Sequence, residues 1–136
     1  MFNQENKNMC RIINITNHSM TQDQRVDAQA NLGVMEELSL PAELLSLWGT
    51  VPPELDSVEG YVAPVIRWLA ANYEPTDIVW VQGEWGAVLA VVDWCRAHKV
   101  RCVYATTQRV AQEVHTDHGV QVSHVFKHVR FRDFPA

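Results

Sequence analysis

The residues able to do chemistry gather in three short clusters, Asn17-His18, Gln82-Gly83-Glu84-Trp85-Gly86 and Ala105-Thr106-Thr107-Gln108-Arg109. A fourth segment, Phe126-Lys127-His128-Val129-Arg130-Phe131-Arg132, alternates basic and aromatic side chains. Gly83-x-x-Gly86 can turn backbone N–H groups toward an anion at a helix N-terminus. It lacks the Lys-Ser/Thr of a phosphate loop and the full pattern of a dinucleotide fold, and a turn needing positive φ explains its glycines as well. A carboxylate at Glu84 would compete with a phosphate there. It suits a ribose hydroxyl, a base, or the charge at a helix N-cap. His18 stands where a buried strand ends, as a proton carrier or as a hydrogen-bonded structural residue. Thr106 and Thr107 can bond phosphate or form a turn. The basic and aromatic segment could serve RNA, or be a strand with one wet face.

The elements that must position these clusters centre on residues 77–109. Ile78-Val79-Trp80-Val81 is a short apolar run, as in a strand buried on both faces. Trp85 to His98 is apolar almost all round, which predicts a mostly buried helix. Val100 to Tyr104 is a second buried strand, with Thr106-Thr107 beyond its carboxyl end. The unit is βαβ, so the strands are expected to be parallel and the crossover right-handed. Ligands in such sheets bind beyond the carboxyl ends of the strands, where Gln82–Gly86 and Ala105–Arg109 both fall.

Earlier in the chain, residues 1–8 read as a disordered tail before a single domain over 9–136. Cys10 to Ile15 is the first strand, with Thr16-Asn17-His18 at its end. Thr21 and Gln24 form a capping box for a helix running to about Asn31, and Gly33 suits a left-handed C-cap. Val34 to Leu40 is a weak strand. Pro41 opens a short helix with Leu44, Leu45 and Trp48 on one face. A longer helix spans about Ser57 to Tyr73, with Pro64 predicting a kink or a late start. After Arg109, valines alternate with polar residues on both sides of Asp117-His118-Gly119, the pattern of an antiparallel hairpin. The alternation slips near Ser123-His124, which predicts a bulge or bend there. Beyond it, parity places His128, Arg130 and Arg132 on one face.

Composition narrows the class. At 136 residues and 47% hydrophobic the chain suits one globular domain. It has no apolar run long enough to cross a bilayer and no secretory core near its start. Its three cysteines fit no paired framework, so reduced thiols in a cytoplasmic protein are expected. The net charge of −5 is unevenly spread. Residues 1–98 carry five Lys/Arg against thirteen Asp/Glu, and residues 99–136 carry six against three. That is unsuited to broad duplex DNA binding and compatible with a local anion site. His115 and His118 are read as exposed. His124 and His128 lie well apart along one strand face. No metal-ligand spacing and no Ser-His-Asp order is visible.

Several motifs together carry a resemblance. They are Asn17-His18, Leu40-Pro41-Ala42-Glu43 with Trp48, Pro52-Pro53-Glu54-Leu55, Gln82-Gly83-Glu84 with Gly86-Ala87, Tyr104-Ala105-Thr106-Thr107 with Arg109, and Phe126 to Arg132. In this order they resemble a small CRISPR-associated family, the compact Csx-type proteins of type III systems. The resemblance covers nearly the whole chain after the tail. It implies a CARF-like Rossmann-type parallel sheet with a C-terminal hairpin, and a ring nuclease that opens cyclic tetra-adenylate without metal or cofactor. It also implies the roles. Lys127, Arg109 and Arg130 would meet the anion, His18 would move a proton, and Glu84 would be a base or ribose ligand. Asn17, Gln82, Gly83, Gly86, Thr106, Thr107 and His128 would complete the binding surface. A two-fold homodimer is expected, because a four-fold ring offers matching halves to two copies. The alternative is a module that binds the ring without cutting it.

Overall fold

The computed structural model describes residues 10–136. The tail expected over 1–8 lies outside them. In chain order the elements are β1 (Cys10–Ile15), α1 (Gln22–Leu32), β2 (Val34–Ser39), α2 (Ala42–Gly49), α3 (Glu59–Asn72), β3 (Ile78–Val81), α4 (Trp85–Ala97), β4 (Arg101–Thr116) and β5 (Gly119–Asp133). The five strands form one curled sheet in the order β2-β1-β3-β4-β5. The first four are parallel, and β5 runs antiparallel to β4.

Alternation sorts the core into two layers. Ile13, Ile15, Val79 and Val81 point to one face, where Trp48, Val62, Val65, Leu69, Val91 and Cys95 of α2, α3 and α4 cover them. Ile12, Ile78, Trp80, Val103, Ala105 and Phe131 point to the other, under Ala28 of α1. The capping box at Thr21 forms as expected, and Gly33 ends α1 at φ 68°. The helix α3 runs through Pro64 from a start at Glu59, shorter at both ends than the pattern predicted.

Four expectations need correction. Ala105–Arg109 is not a loop past a strand end. The strand β4 continues unbroken to Thr116, because β5 supplies a partner for every residue of that stretch. The register irregularity falls at Thr106/Thr107, opposite Val129, and not near Ser123-His124. Alternation on a strand that is exposed on both faces carries little register information. The same bulge reverses parity, so His128 pairs with Thr107 while Arg130 pairs with its neighbour Thr106. His128 therefore lies on the face opposite Arg130 and Arg132. Finally, α4 is not buried all round. Trp85 is 86% exposed and Leu89 is 56% exposed, four residues apart on one stripe.

Past Trp80, which pairs with Val103, β4 has no parallel neighbour among the described residues and pairs there with β5 alone. Residues 107–116 and 119–128 thus form a two-stranded ribbon, roughly 30 Å long at about 3.3 Å per residue. It rises from the same sheet edge at which β1 and β3 end.

Candidate functional site

The sheet order reverses between β1 and β3, since the chain leaves β1 toward β2 and leaves β3 toward β4. In open α/β sheets this is where ligands enter. At the end of β1, the buried Asn14 donates to the Glu37 carboxylate and to the His18 carbonyl, both at 2.9 Å. Thr16 Oγ1 lies 2.7 Å from Asn14 Oδ1 and accepts the His18 N–H at 3.1 Å. The loop is held by its backbone, and the Asn17 and His18 side chains stay exposed. Asn17 lies against Gly49, where an added Cβ would come within 2.8 Å of its Cγ. Asn17 and His18 border a hollow of about 180 Å3 with Ser39 and Leu45.

The end of β3 is built around Gln82. Its Oε1 accepts the Trp80 indole N–H at 2.6 Å and the Ala105 backbone N–H at 2.9 Å. Its carbonyl accepts the Trp48 indole N–H at 2.9 Å. Gln82 is thus a bracket between β3 and β4, with its amide nitrogen left over. Both turn glycines answer to packing. A Cβ on Gly83 would meet Trp48 Nε1 at 2.8 Å, and one on Gly86 would meet Val58 at 2.9 Å. Glu84 is the N-cap of α4, its carboxylate accepting the Gly86 N–H. That carboxylate occupies the place where a phosphate would sit on this helix.

Trp85, next in the chain, opens a second hollow of about 440 Å3 with Gln82, Gly83, Val88, Tyr104 and Phe134. The Tyr104 and Phe134 rings lie 4.8 Å apart. The Arg132 guanidinium lies 5.7 Å from the centre of the Tyr104 ring and donates to its hydroxyl at 3.2 Å. Aromatic faces with a cation at the rim are what a nucleobase and its phosphate need. Trp85, Tyr104 and Arg132 fall within the motifs named from the sequence, but no binding or catalytic role is assigned to them there. Their signal was present but ambiguous, because Trp85 opens an apolar helix and passes for core.

The basic residues lie elsewhere. Thr107, Lys127 and His128 border a groove of about 460 Å3 with Thr21 and Gln24 at the start of α1. The His128 ring is engaged through Nε2 with Asp27 at 2.7 Å, and its buried Nδ1 has no partner. Burial pushes the Asp27 carboxyl up, but hydrogen bonds from Asn31 and His128 and the nearby His128 charge outweigh it, so its pKa is lowered. Thr106 Oγ1 donates to the Arg130 carbonyl at 3.0 Å. Arg109 is exposed on the ribbon opposite Phe126. Of the expected residues, Asn17 and His18, Gln82 and Gly83, and Thr107, Lys127 and His128 border three separate hollows, whereas Arg130 borders a fourth, of about 430 Å3, with Arg101 and Asp133. Among the described residues no group of His, Cys, Asp or Glu is placed to hold a metal ion. No helix there is long and apolar enough to cross a membrane.

No solved structure matches the chain. The uncharacterized protein MJ1673 of Methanocaldococcus jannaschii is 34% identical over 126 residues, which span 93% of this chain and 98% of that protein. Residues 10–132, from the first residue of β1 into β5, match the family model named for it. This protein belongs to the uncharacterized protein MJ1673 family.

Proposed function

We propose that the protein is a ring nuclease, binding cyclic tetra-adenylate at the carboxyl edge of a CARF-like sheet and opening it to linear products with 2′,3′-cyclic phosphate ends. The observation that carries the reading is the convergence on one sheet edge of the Asn17-His18 loop, the Trp85–Tyr104–Arg132 hollow and the groove at Lys127. Together they offer a proton carrier, base-stacking surfaces and cations for phosphates.

RNA brings its own nucleophile. The enzyme has to align a 2′-hydroxyl with the phosphorus and stabilise the charge of the pentavalent state, which positioning and preorganised donors can supply. His18 takes or gives the proton, and Lys127 meets the phosphate. Two copies related by a two-fold axis, with their strand ends facing, would present matching half-sites to the ring. On this reading the enzyme works in the cytoplasm.

A second reading, sequestration without cleavage, draws on one specific feature. In a single chain His18 and Lys127 line separate hollows. Incubation of purified protein with labelled cyclic tetra-adenylate, chelator present, separates the two readings. Linear product supports the nuclease. Binding without product supports sequestration. Neither product nor a rise in melting temperature at saturating ring overturns both, since a ligand at about 100 times its Kd adds roughly 2.7 kcal/mol.

A further inference from the structure

The ribbon formed by residues 107–116 and 119–128 presents a physical problem. Among the described residues no third strand flanks it, and an isolated two-stranded ribbon is marginal in water. It nevertheless carries much of the exposed apolar surface. Val120, Val122 and Phe126 are 54%, 59% and 68% exposed, and Val110 and Val125 are 38% and 42% exposed; Val110, Val125 and Phe126 lie at the base of the ribbon, where they line the groove beside α1. Cross-strand partners share a face. One face of the ribbon therefore holds Arg109 with Phe126, Ala111 with His124, Glu113 with Val122, and His115 with Val120. The opposite face has valines, glutamines and Ser123, with Lys127 as its charge.

We infer that the face bearing Arg109, Glu113, Val122 and Phe126 packs against the same face of a second copy of this chain. Its charge pattern selects that occupant. A two-fold axis crossing the ribbon at the level of Ala111 and His124 lays each ribbon antiparallel on the other. Residue 109 then lies over residue 113 of the partner, and residue 126 over residue 122. Arg109 meets the partner's Glu113 twice, and Phe126 meets the partner's Val122 twice. The small side chain of Ala111 stands at the centre, where sheets must approach to about 10 Å. Neither Arg109 nor Glu113 forms a salt bridge within the chain among the described residues. The ribbon rises from the carboxyl edge of the sheet, so this pairing turns the two strand-end regions toward each other. The inference rests on the two-fold assembly proposed above, gives it a surface, and does not depend on the ligand.

Sedimentation equilibrium of the full chain without nucleotide tests it by charge exchange. Wild type is expected to be a dimer at micromolar concentration. Arg109→Glu or Glu113→Arg alone places like charges together at both contacts and should weaken the dimer at least tenfold. The double variant restores opposite charges and should recover most of the loss. Val122→Glu should give a monomer. Circular dichroism and melting temperature check that each variant keeps its fold, which the position of the ribbon outside the core favours. A monomeric wild type, single variants that dimerise normally, or a double variant no better than the singles each overturns the inference. A wild-type dimer that ignores the ring leaves it standing and removes only the two ring-binding readings. A monomer that cleaves the ring does the reverse.

Discussion

In the body of the protein Ile12, Ile13, Ile15, Val79 and Val81 are shut away from solvent, whereas Val120, Val122 and Phe126 of the ribbon are more than half exposed. The residue types are alike, and the backbone in both places is extended and fully paired. What differs is cover. Helices lie on both faces of β1 and β3, and among the described residues no helix covers the outer half of β4 and β5. The difference separates two uses of an apolar strand. In the body it supplies stability, and in the ribbon it supplies a surface that still needs a partner.

The sharpest way to break this comparison is to ask whether both regions take part in the reaction. His18 belongs to the body and Lys127 to the ribbon. In single-turnover assays with excess enzyme, His18→Ala should slow ring opening by about 10²–10⁴, with binding little changed. Lys127→Ala should cost about two orders of magnitude or more and weaken binding as well, because the ground-state ring already carries the phosphate charge. Wild-type rates in Lys127→Ala alone would confine the chemistry to the body. Wild-type rates in both would place it elsewhere.

Stability should divide the regions next. Trp80→Ala removes a fully buried ring and is expected to cost about 3–5 kcal/mol in urea unfolding. Val114→Ala in the ribbon should change monomer stability by less than about 0.5 kcal/mol. Equal losses at the two positions would show that the ribbon is folded into the cooperative unit. A smaller effect is expected at the bracket between β3 and β4. Gln82→Ala leaves the Trp80 indole and the Ala105 N–H without their shared acceptor, at about 1–3 kcal/mol for each donor that finds no water. Retained stability would mean that water replaces the side chain.

The smallest effect is expected where ribbon and body join. The Asp27 pKa is lowered in the folded state, so its contribution is fully present above the ordinary aspartate value near pH 4 and is lost as pH falls through the lowered folded value. Melting temperature measured between about pH 6 and pH 2 should therefore drop at the acid end. Asp27→Asn should start lower at pH 6 and lack that part of the slope. An unchanged slope would mean that the contact with His128 contributes nothing to stability.

Much of the body was legible from local pattern because its signals are local. Thr21 and Gln24 make their box within one turn. Gly33 ends a helix by its own backbone freedom. The apolar run at 78–81 has few states open to it other than a buried strand. The site was less legible. Glu84 read equally as ligand or as cap, and only the placement of its carboxylate on the Gly86 N–H distinguishes these. Gly83 and Gly86 suggested an anion turn until Trp48 and Val58, distant in sequence, came to lie against them. Trp85 passed for core because helical periodicity does not say which residue of an apolar helix faces outward when its neighbours cover only part of it.

The sequence by itself determined the order of elements, the caps, the parallel βαβ unit and the presence of a hairpin, since each depends on residues close together in the chain. Only the tertiary structure decided that β4 runs on to Thr116, that the bulge sits opposite Val129, and that His128 turns to Asp27 while Arg130 and Arg132 take the other face. The physical reason is the period of a strand. One residue inserted in a ladder exchanges the two faces from that point on, and the cost of placing it depends on what covers each face. For the ribbon that information lies outside its own residues, in α1 at its base and, on our reading, in a second copy of the chain further out.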